Sequence, residues 1–286
     1  MTAAMERVLD TIDKLDLKGH IAELEVKGYT TIKAVLSDTQ IEQAKQAIVS
    51  RVEKKSGKTV DLATGEGLEG GWRYVPHLTY DDVVFEDILM EPKALALVTY
   101  LLGESCLLSS IGCHFKCPGG EPLLLHSDNA NGLPEPFPSY AQITNVNYAL
   151  SPYSIPEGAL AMVPGSHRYM RHPRPEESQL EGDAANPDAV SMNLDPGDCV
   201  IWHGNTWHGS YTREIPGIRM NLAVYFCRQY VFPQEAHQGN VPQDILDRHS
   251  NDERFKVLMG AKQPYPWDQE GPKSNLLARS PRGLFD

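Results

Sequence analysis

His126-Ser-Asp128 sets an imidazole and a carboxylate two residues apart. On an extended segment such side chains point to the same side, so a ring nitrogen and a carboxylate oxygen can converge on one metal ion. With ten His in the chain, roughly 0.6 H-x-D matches arise by chance, so the motif gains meaning only from its company. That company is Asp195-Pro-Gly-Asp-Cys-Val-Ile-Trp-His-Gly-Asn-Thr-Trp-His208-Gly-Ser210, followed by Arg219 at the head of the run 220–226. A turn signal, a short apolar run, a second imidazole and an isolated Arg opening another apolar run form an ordered constellation. Two His and one carboxylate with coordination positions left open suit non-haem Fe(II). His203 competes with His208 as the third ligand, since both flank the same loop. Arg219 offers a planar fork that grips a carboxylate through two parallel hydrogen bonds.

The segments that must position these groups read as strands. Runs at 107–115, 123–126 and 143–150 are separated by Pro and Gly clusters, and 158–163 is an apolar strand ending in a Pro-Gly turn. After Arg219 the apolar residues fall on even positions. That parity puts Arg219, Asn221, Ala223 and Tyr225 on one face, suited to a polar cavity. Short strands after a helical N-terminal region, without βα alternation, predict a closed or double-sheet antiparallel architecture. Upstream, residues 6–27 have helical spacing up to Gly28, and 29–32 is a strand signal. Ser37 and Gln40 make a capping box ahead of Ile41, Ala44, Ile48 and Val52. Pro92 to Leu102 reads as a helix with Pro in its first turn and Gly103 beyond its end.

The remaining stretches are less specific. Residues 55–71 read as a Gly-rich loop that either overlies a pocket or is pinned by the aromatics after it. Trp72, Tyr74, Phe137 and Tyr140 are candidates for apolar walls or for ordinary core. Residues 169–189 form a long surface connection, 241–259 a helix, and the Pro-rich tail from 262 irregular structure. His167 reads as a structural residue after its turn, not as a ligand. Arg168, Arg171, His172 and Arg174 read as a solvated charge run, or else as a site for an acidic group. Cys113-His114-x-x-Cys117 lacks the second pair of a zinc site.

At 286 residues with 41% hydrophobic content, the chain can bury a sizeable core. A formal charge of -12 disfavours nucleic-acid and anionic-membrane partners, which need clustered Lys and Arg. The N-terminus lacks a signal-peptide core, and no run reaches the roughly 18 apolar residues of a membrane span. A cytoplasmic protein acting on a small molecule is the expectation, with a homo-oligomer left open. Five scattered cysteines make neither a disulfide framework nor a zinc set, and suit a reducing compartment.

Together, the H-x-D motif, His208, Arg219 and Gly158-Ala-Leu-Ala-Met-Val-Pro-Gly-Ser-His167 resemble the phytanoyl-CoA dioxygenase family of Fe(II)/2-oxoglutarate enzymes, over roughly residues 20 to 230. The resemblance implies a double-stranded β-helix, the cupin-like jelly roll, mainly β with flanking helices. It implies one dioxygenase domain over 1–286, with a helical scaffold and pocket loop at 1–104, a jelly-roll core at 105–230 and a C-terminal helix and tail at 231–286. His126 and Asp128 take the H-x-D ligand positions, and the spacing to Arg219 and the Gly-Ser after it favour His208 as the distal His. Arg219 takes the position that salt-bridges the far carboxylate of 2-oxoglutarate, and Ser210 a supporting hydroxyl. Asn147 aligns with a strand position lining the cosubstrate pocket, and Arg73 falls in a region that supplies a basic residue to the keto-acid end. No clear Lys stands at that last place, a departure from the family.

The implied cofactors are Fe(II), 2-oxoglutarate as cosubstrate and O2, with succinate and carbon dioxide as co-products. In related halogenases a small residue replaces the carboxylate. Asp128 therefore implies oxygenation, most simply hydroxylation, with desaturation, cyclisation and epoxidation open. The family acts on acyl thioesters, amino acids and natural-product scaffolds, and the acidic charge points away from coenzyme A thioesters toward a small or polycyclic metabolite. Two other readings stand beside this one. A cupin-like metal enzyme with isomerase or lyase chemistry leaves Arg219 without a task, and a non-catalytic ligand-binding barrel makes the three ligand-type residues accidental.

Overall fold

The computed structural model describes residues 3–68, 74–129, 132–262, 267–268 and 271–272. Helices α1 (Ala3–Lys14) and α2 (Lys18–Lys27) lead into β1 (Tyr29–Ile32) and the long α3 (Asp38–Ser56). Next come β2 (Tyr74–Val75), α4 (Val83–Leu89) and α5 (Pro92–Leu102). The strands β3 (Leu107–Lys116), β4 (Leu123–His126), β5 (Ile143–Ala149), β6 (Leu160–Met162) and β7 (Val190–Ser191) follow. Then come β8 (Cys199–His203), β9 (His208–Ser210) and β10 (Arg219–Cys227). Short helices α6 (Gln243–Arg248) and α7 (Glu253–Leu258) and the pair β11 (Trp267–Asp268) and β12 (Gly271–Pro272) close the order. No helix among the described residues is long and apolar enough to cross a membrane.

The strands form a six-stranded sheet, β1-β8-β5-β10-β3-β2, and a four-stranded sheet, β4-β9-β6-β7. All their pairings are antiparallel. This is the double-sheet jelly roll with flanking helices. Period-two alternation sorts the large sheet into two faces. Met220, Leu222 and Val224 of β10, Ile111 and Cys113 of β3, and Val146 and Tyr148 of β5 join an apolar core with residues of α3, α4 and α5. The opposite face carries Arg219, Asn221, Tyr225, His114, Asn145 and Asn147, which line a cavity. Every residue of β5 is buried, yet its sequence alternates, because one buried face is apolar and the other is a polar cavity wall. Leu160 and Met162 of β6 meet Val200 and Trp202 of β8 in a second cluster that packs the sheets together.

Local signals were followed closely in α3 and α5. Ser37 and Gln40 form both halves of the capping box, and Ile41, Ala44, Ile48 and Val52 are the buried stripe of α3. Helix α5 has Pro in its first turn and Gly103 at its end.

Other segments depart from the sequence reading. The spacing over 6–27 is split into α1 and α2 by a turn in which Asp16 adopts a φ of 55°, so that Ile12 and Leu17 both reach the core. The helix expected over 241–259 is two short ones. The second is started afresh by Asp252, whose side chain accepts the Phe255 amide at 2.9 Å. The tail, expected to be irregular, contains the antiparallel pairing of β11 with β12.

Candidate active site

Pairing of β4 with β9 puts His126 directly opposite His208, and their rings lie 4.3 Å apart between centroids. Asp128 follows just beyond β4, its amide donating to Gly204 O at 2.9 Å. Its Oδ1 is 3.5 Å from His208 Nε2. One ligand atom from each of the three residues lies within 4.8 Å of the others. The remaining polar atoms of these side chains are engaged elsewhere. His126 Nδ1 pairs with Leu124 O at 2.8 Å, and His208 Nδ1 with Thr206 O at 3.0 Å. A carbonyl only accepts, so each Nδ1 carries the proton and each Nε2 keeps its lone pair for a metal. Trp202 Nε1 donates to Asp128 Oδ2 at 2.8 Å, which leaves Oδ1 for the same task. Burial pushes the His208 pKa down to about 4, so the ring is neutral and able to ligate near pH 7. This donor set fits a divalent metal with open positions.

A cavity of about 620 Å³ adjoins the three groups. At one end Arg219 faces Lys116 across the β10–β3 ladder. Arg219 is 2% exposed, its guanidinium lies 4.8 Å from the centre of the Tyr153 ring, and its Nε and Nη1 have no hydrogen-bond partner among the described residues. A buried charge without a counter-ion is strongly unfavourable. The guanidinium therefore fits a carboxylate brought in by a small molecule. Ser210 lies on β9 near the same end, its hydroxyl 3.5 Å from Lys116 Nζ, which donates to Glu121 O at 2.7 Å. Asn147 accepts from Asn221 and donates to Asn145 Oδ1 at 3.0 Å, a chain of amides along the wall. Burial, reinforced by the nearby Arg219 charge, pushes the pKa of cavity-lining His114 down to about 4.

Of the residues singled out by sequence, His126, Asp128, His208, Ser210, Arg219 and Asn147 all line this cavity. Arg73 and Trp72 lie outside the described residues. His203 is drawn away: its Nε2 donates to Ser139 O at 3.3 Å and its Nδ1 accepts the Asn205 amide at 3.1 Å. The His167 ring lies tilted beside it at 5.5 Å between centroids. Phe137 is buried against His172, and Tyr140 is exposed beside Arg228. Among the described candidates, Tyr74 is the aromatic that lines the cavity. Two members of the cationic run bind the chain itself: Arg168 donates to Glu25 O at 2.5 Å, and Arg171 pairs with Glu177 at 2.6 Å. Cys113 faces the apolar core while His114 faces the cavity, so the two cannot share an ion. The Gly-rich loop packs at the start of β10 through Ile218 N and Leu62 O, 3.0 Å apart, and its described residues do not line the cavity.

Sequence reasoning overlooked Trp202, Lys116, Gln234 and Glu235, all of which line the cavity. Parity pointed to the first two, since Trp202 opposes the core-facing Ile201 and Lys116 continues the face of His114. Gln234 and Glu235 follow the last long strand in a segment with no local pattern to mark them.

The sequence model of the phytanoyl-CoA dioxygenase (PhyH) family matches residues 24–221. Dioxygenase af480 of Aspergillus fumigatus is 27% identical over 243 residues, covering 83% of this chain and 74% of its own length. Dioxygenase ALT11 of Alternaria alternata is 24% identical over 261 residues, 85% and 81% of the two chains. HygX from Streptomyces hygroscopicus, solved with nickel and 2-oxoglutarate bound, shares the fold with a TM-score of 0.59 at 16% identity, over 74% of this chain and 87% of that one. The epimerase SnoN from nogalamycin biosynthesis does so with a TM-score of 0.56 at 21% identity, over 76% and 84%. The family match spans most of the chain and includes His126, Asp128, His208, Ser210 and Arg219, and the chain belongs to the phytanoyl-CoA dioxygenase (PhyH) family of Fe(II)/2-oxoglutarate-dependent dioxygenases.

Proposed function

We propose that this dioxygenase hydroxylates an unactivated C–H bond of a small metabolite, with succinate and carbon dioxide as co-products. His126, Asp128 and His208 hold Fe(II). Arg219 and Ser210 hold the far carboxylate of 2-oxoglutarate, and Asn147 lines its bed. In this reading residues 1–286 act as one domain, with the helices of 1–104 as scaffold and 105–230 as the catalytic barrel. The observation that carries the reading is Arg219, a buried guanidinium with unmet donors at the end of the same cavity as the three ligand-type residues. An isomerase or lyase without a keto acid leaves that charge unexplained.

When bound, iron and the keto acid supply the oxidising chemistry with O2. The chain binds and orients. Trp202 fixes the direction of the Asp128 carboxylate, the two Nδ1 bonds fix the His rings, and the bidentate fork of Arg219 sets the direction of the keto acid. The enclosing sheets hold the target C–H bond near the metal and keep bulk water out.

The test is succinate formation from 2-oxoglutarate in air, with Fe(II) bound anaerobically beforehand. Wild type is expected to release succinate slowly even without its substrate. His208→Ala is expected to fall to background. Arg219→Ala is expected to need on the order of a hundredfold more keto acid, the loss appearing in KM. Wild type that forms no succinate and shows no Fe(II)-dependent affinity for 2-oxoglutarate overturns the reading.

A further inference from the structure

The β3–β10 ladder gives the cavity a direction. Its wall runs from Arg219 opposite Lys116, through Asn221 opposite His114 and Ala223 opposite Gly112, to Tyr225 opposite Ser110. Six residues of extended strand cover about 20 Å. The Arg219 end takes the keto acid, and Asp128 lies toward the Tyr225 end, its carbonyl accepting from the Tyr225 hydroxyl at 3.2 Å. What remains for a substrate is the end walled by Tyr74, His77, Ser110, Asn145, Gln234 and Glu235. Tyr74 lies flat against Gly112, where an added Cβ would come within 2.4 Å of its hydroxyl oxygen.

The segment after β10 is pinned across this end. Gln234 N donates to Ser109 Oγ at 2.9 Å, Glu235 N to Ser109 O at 2.8 Å, and Ser110 Oγ to Gln234 Oε1 at 2.6 Å. These bonds hold Glu235 at the wall, with only 4% of the residue exposed. Its Oε1 accepts the His77 amide at 2.8 Å. Its Oε2 is 3.5 Å from Thr79 Oγ1 and 3.3 Å from His237 Nε2, which makes no hydrogen bond among the described residues. The other ring nearby, His77, is 3.6 Å away on a side chain that is 61% exposed. Among the described residues no Lys or Arg pairs with this carboxylate. A buried carboxylate so placed has acceptor capacity to spare and a desolvation cost that a cation offsets. The chain's net charge of -12 draws cations toward it.

We infer that the substrate carries a protonated amine, received by Glu235 and flanked by the Tyr74 ring, which favours a cation over its face. The amine anchors the molecule at the far wall and leaves its target carbon toward the metal. This rests on the dioxygenase reading above.

The test offers amino acids, polyamines and amino sugars, each beside its N-acetyl counterpart, to Fe(II)-loaded wild type with 2-oxoglutarate in air. The readout is succinate release above the substrate-free rate. That substrate-free rate reports on the dioxygenase reading alone, so the two ideas fail separately. Amines are expected to raise release at concentrations about 10- to 100-fold below those their N-acetyl partners need, the range for a hydrogen bond to a charged group. For the best amine, calorimetry on protein loaded with Ni(II) and 2-oxoglutarate is expected to show about tenfold or greater weakening in Glu235→Gln, with the preference for amine kept in Glu235→Asp. N-acetyl partners that stimulate equally, a panel in which no amine stimulates, or a Glu235→Gln protein that binds the amine as wild type does, each overturns the inference.

Discussion

In the proposed site, Trp202 is the group that decides which Asp128 oxygen faces the metal. Its indole N–H takes Oδ2 at 2.8 Å, and its ring lies 4.7 Å from that of His208. Trp202→Phe keeps the ring and deletes the donor, so metal affinity is expected to fall about 10- to 100-fold with the fold retained, as a Co(II) titration followed by circular dichroism would measure. Affinity unchanged by the substitution would mean that Asp128 is oriented by something else. The ligand-type residues themselves were legible in the sequence, because metal binding demands particular side chains and the strand period fixes which of them share a face. Trp202 was not recognised: parity puts it on the cavity side of β8, but its bond to Asp128 is a contact between two sheets that no local pattern specifies. His203 was separable from His208 by sequence only through the resemblance; in the fold its two ring nitrogens are both consumed by backbone groups.

At the scale of elements, β9 must lie close against β4 for the two imidazoles to meet. Gly209, between His208 and Ser210, makes that approach: an added Cβ would sit 2.3 Å from Leu123 O and 3.1 Å from the Leu124 carbonyl carbon. Backbone cannot yield as a flexible side chain does. Gly209→Ala is therefore expected to separate the strands and to lose Fe(II) binding and succinate formation together, with metal titration as the check; a variant with wild-type metal affinity contradicts this. The connection 169–189 packs against Trp207, the residue just before β9. Arg171 bonds Glu177 at 2.6 and 2.8 Å, and its guanidinium lies 4.8 Å from the Trp207 ring centre. The hydrogen bonds from Arg171 hold the Glu177 carboxyl down at about 2, below its ordinary 4.5. A depressed folded-state pKa contributes stability that is present above the unfolded value and lost as pH falls through the folded one. The melting-temperature gap between wild type and Glu177→Gln is thus expected to be open at pH 7 and to close toward about pH 2, and a gap that widens with acid runs against it. Element boundaries were legible where a cap marked them, as at Ser37 and Pro92. They were misread where apolar spacing continued through a turn, as at Asp16 and Asp252.

For the whole molecule, the double-sheet class followed from short strands without βα alternation, while the strand order did not. β1 pairs with β8, and the segment after β10 returns to Ser109 of β3 to place Gln234 and Glu235 at the cavity. Such long-range contacts are set by global packing and have no periodic signature. A metal bound by strands of the folded barrel, as proposed, stabilises the fold by linkage. A hundredfold excess over Kd corresponds to about 2.7 kcal/mol, so Ni(II) with 2-oxoglutarate is expected to raise the melting temperature of wild type by several degrees. EDTA should reverse the shift, and His126→Ala should not show it. Joint binding of Fe(II) and 2-oxoglutarate at this site is tested by the visible charge-transfer absorption of Fe(II)-loaded protein on anaerobic titration with 2-oxoglutarate. Wild type is expected to show a band, His208→Ala none, and Arg219→Ala a band that needs on the order of a hundredfold more keto acid. A wild type that stays colourless at high 2-oxoglutarate, or an Arg219→Ala protein that titrates as wild type does, would contradict this expectation.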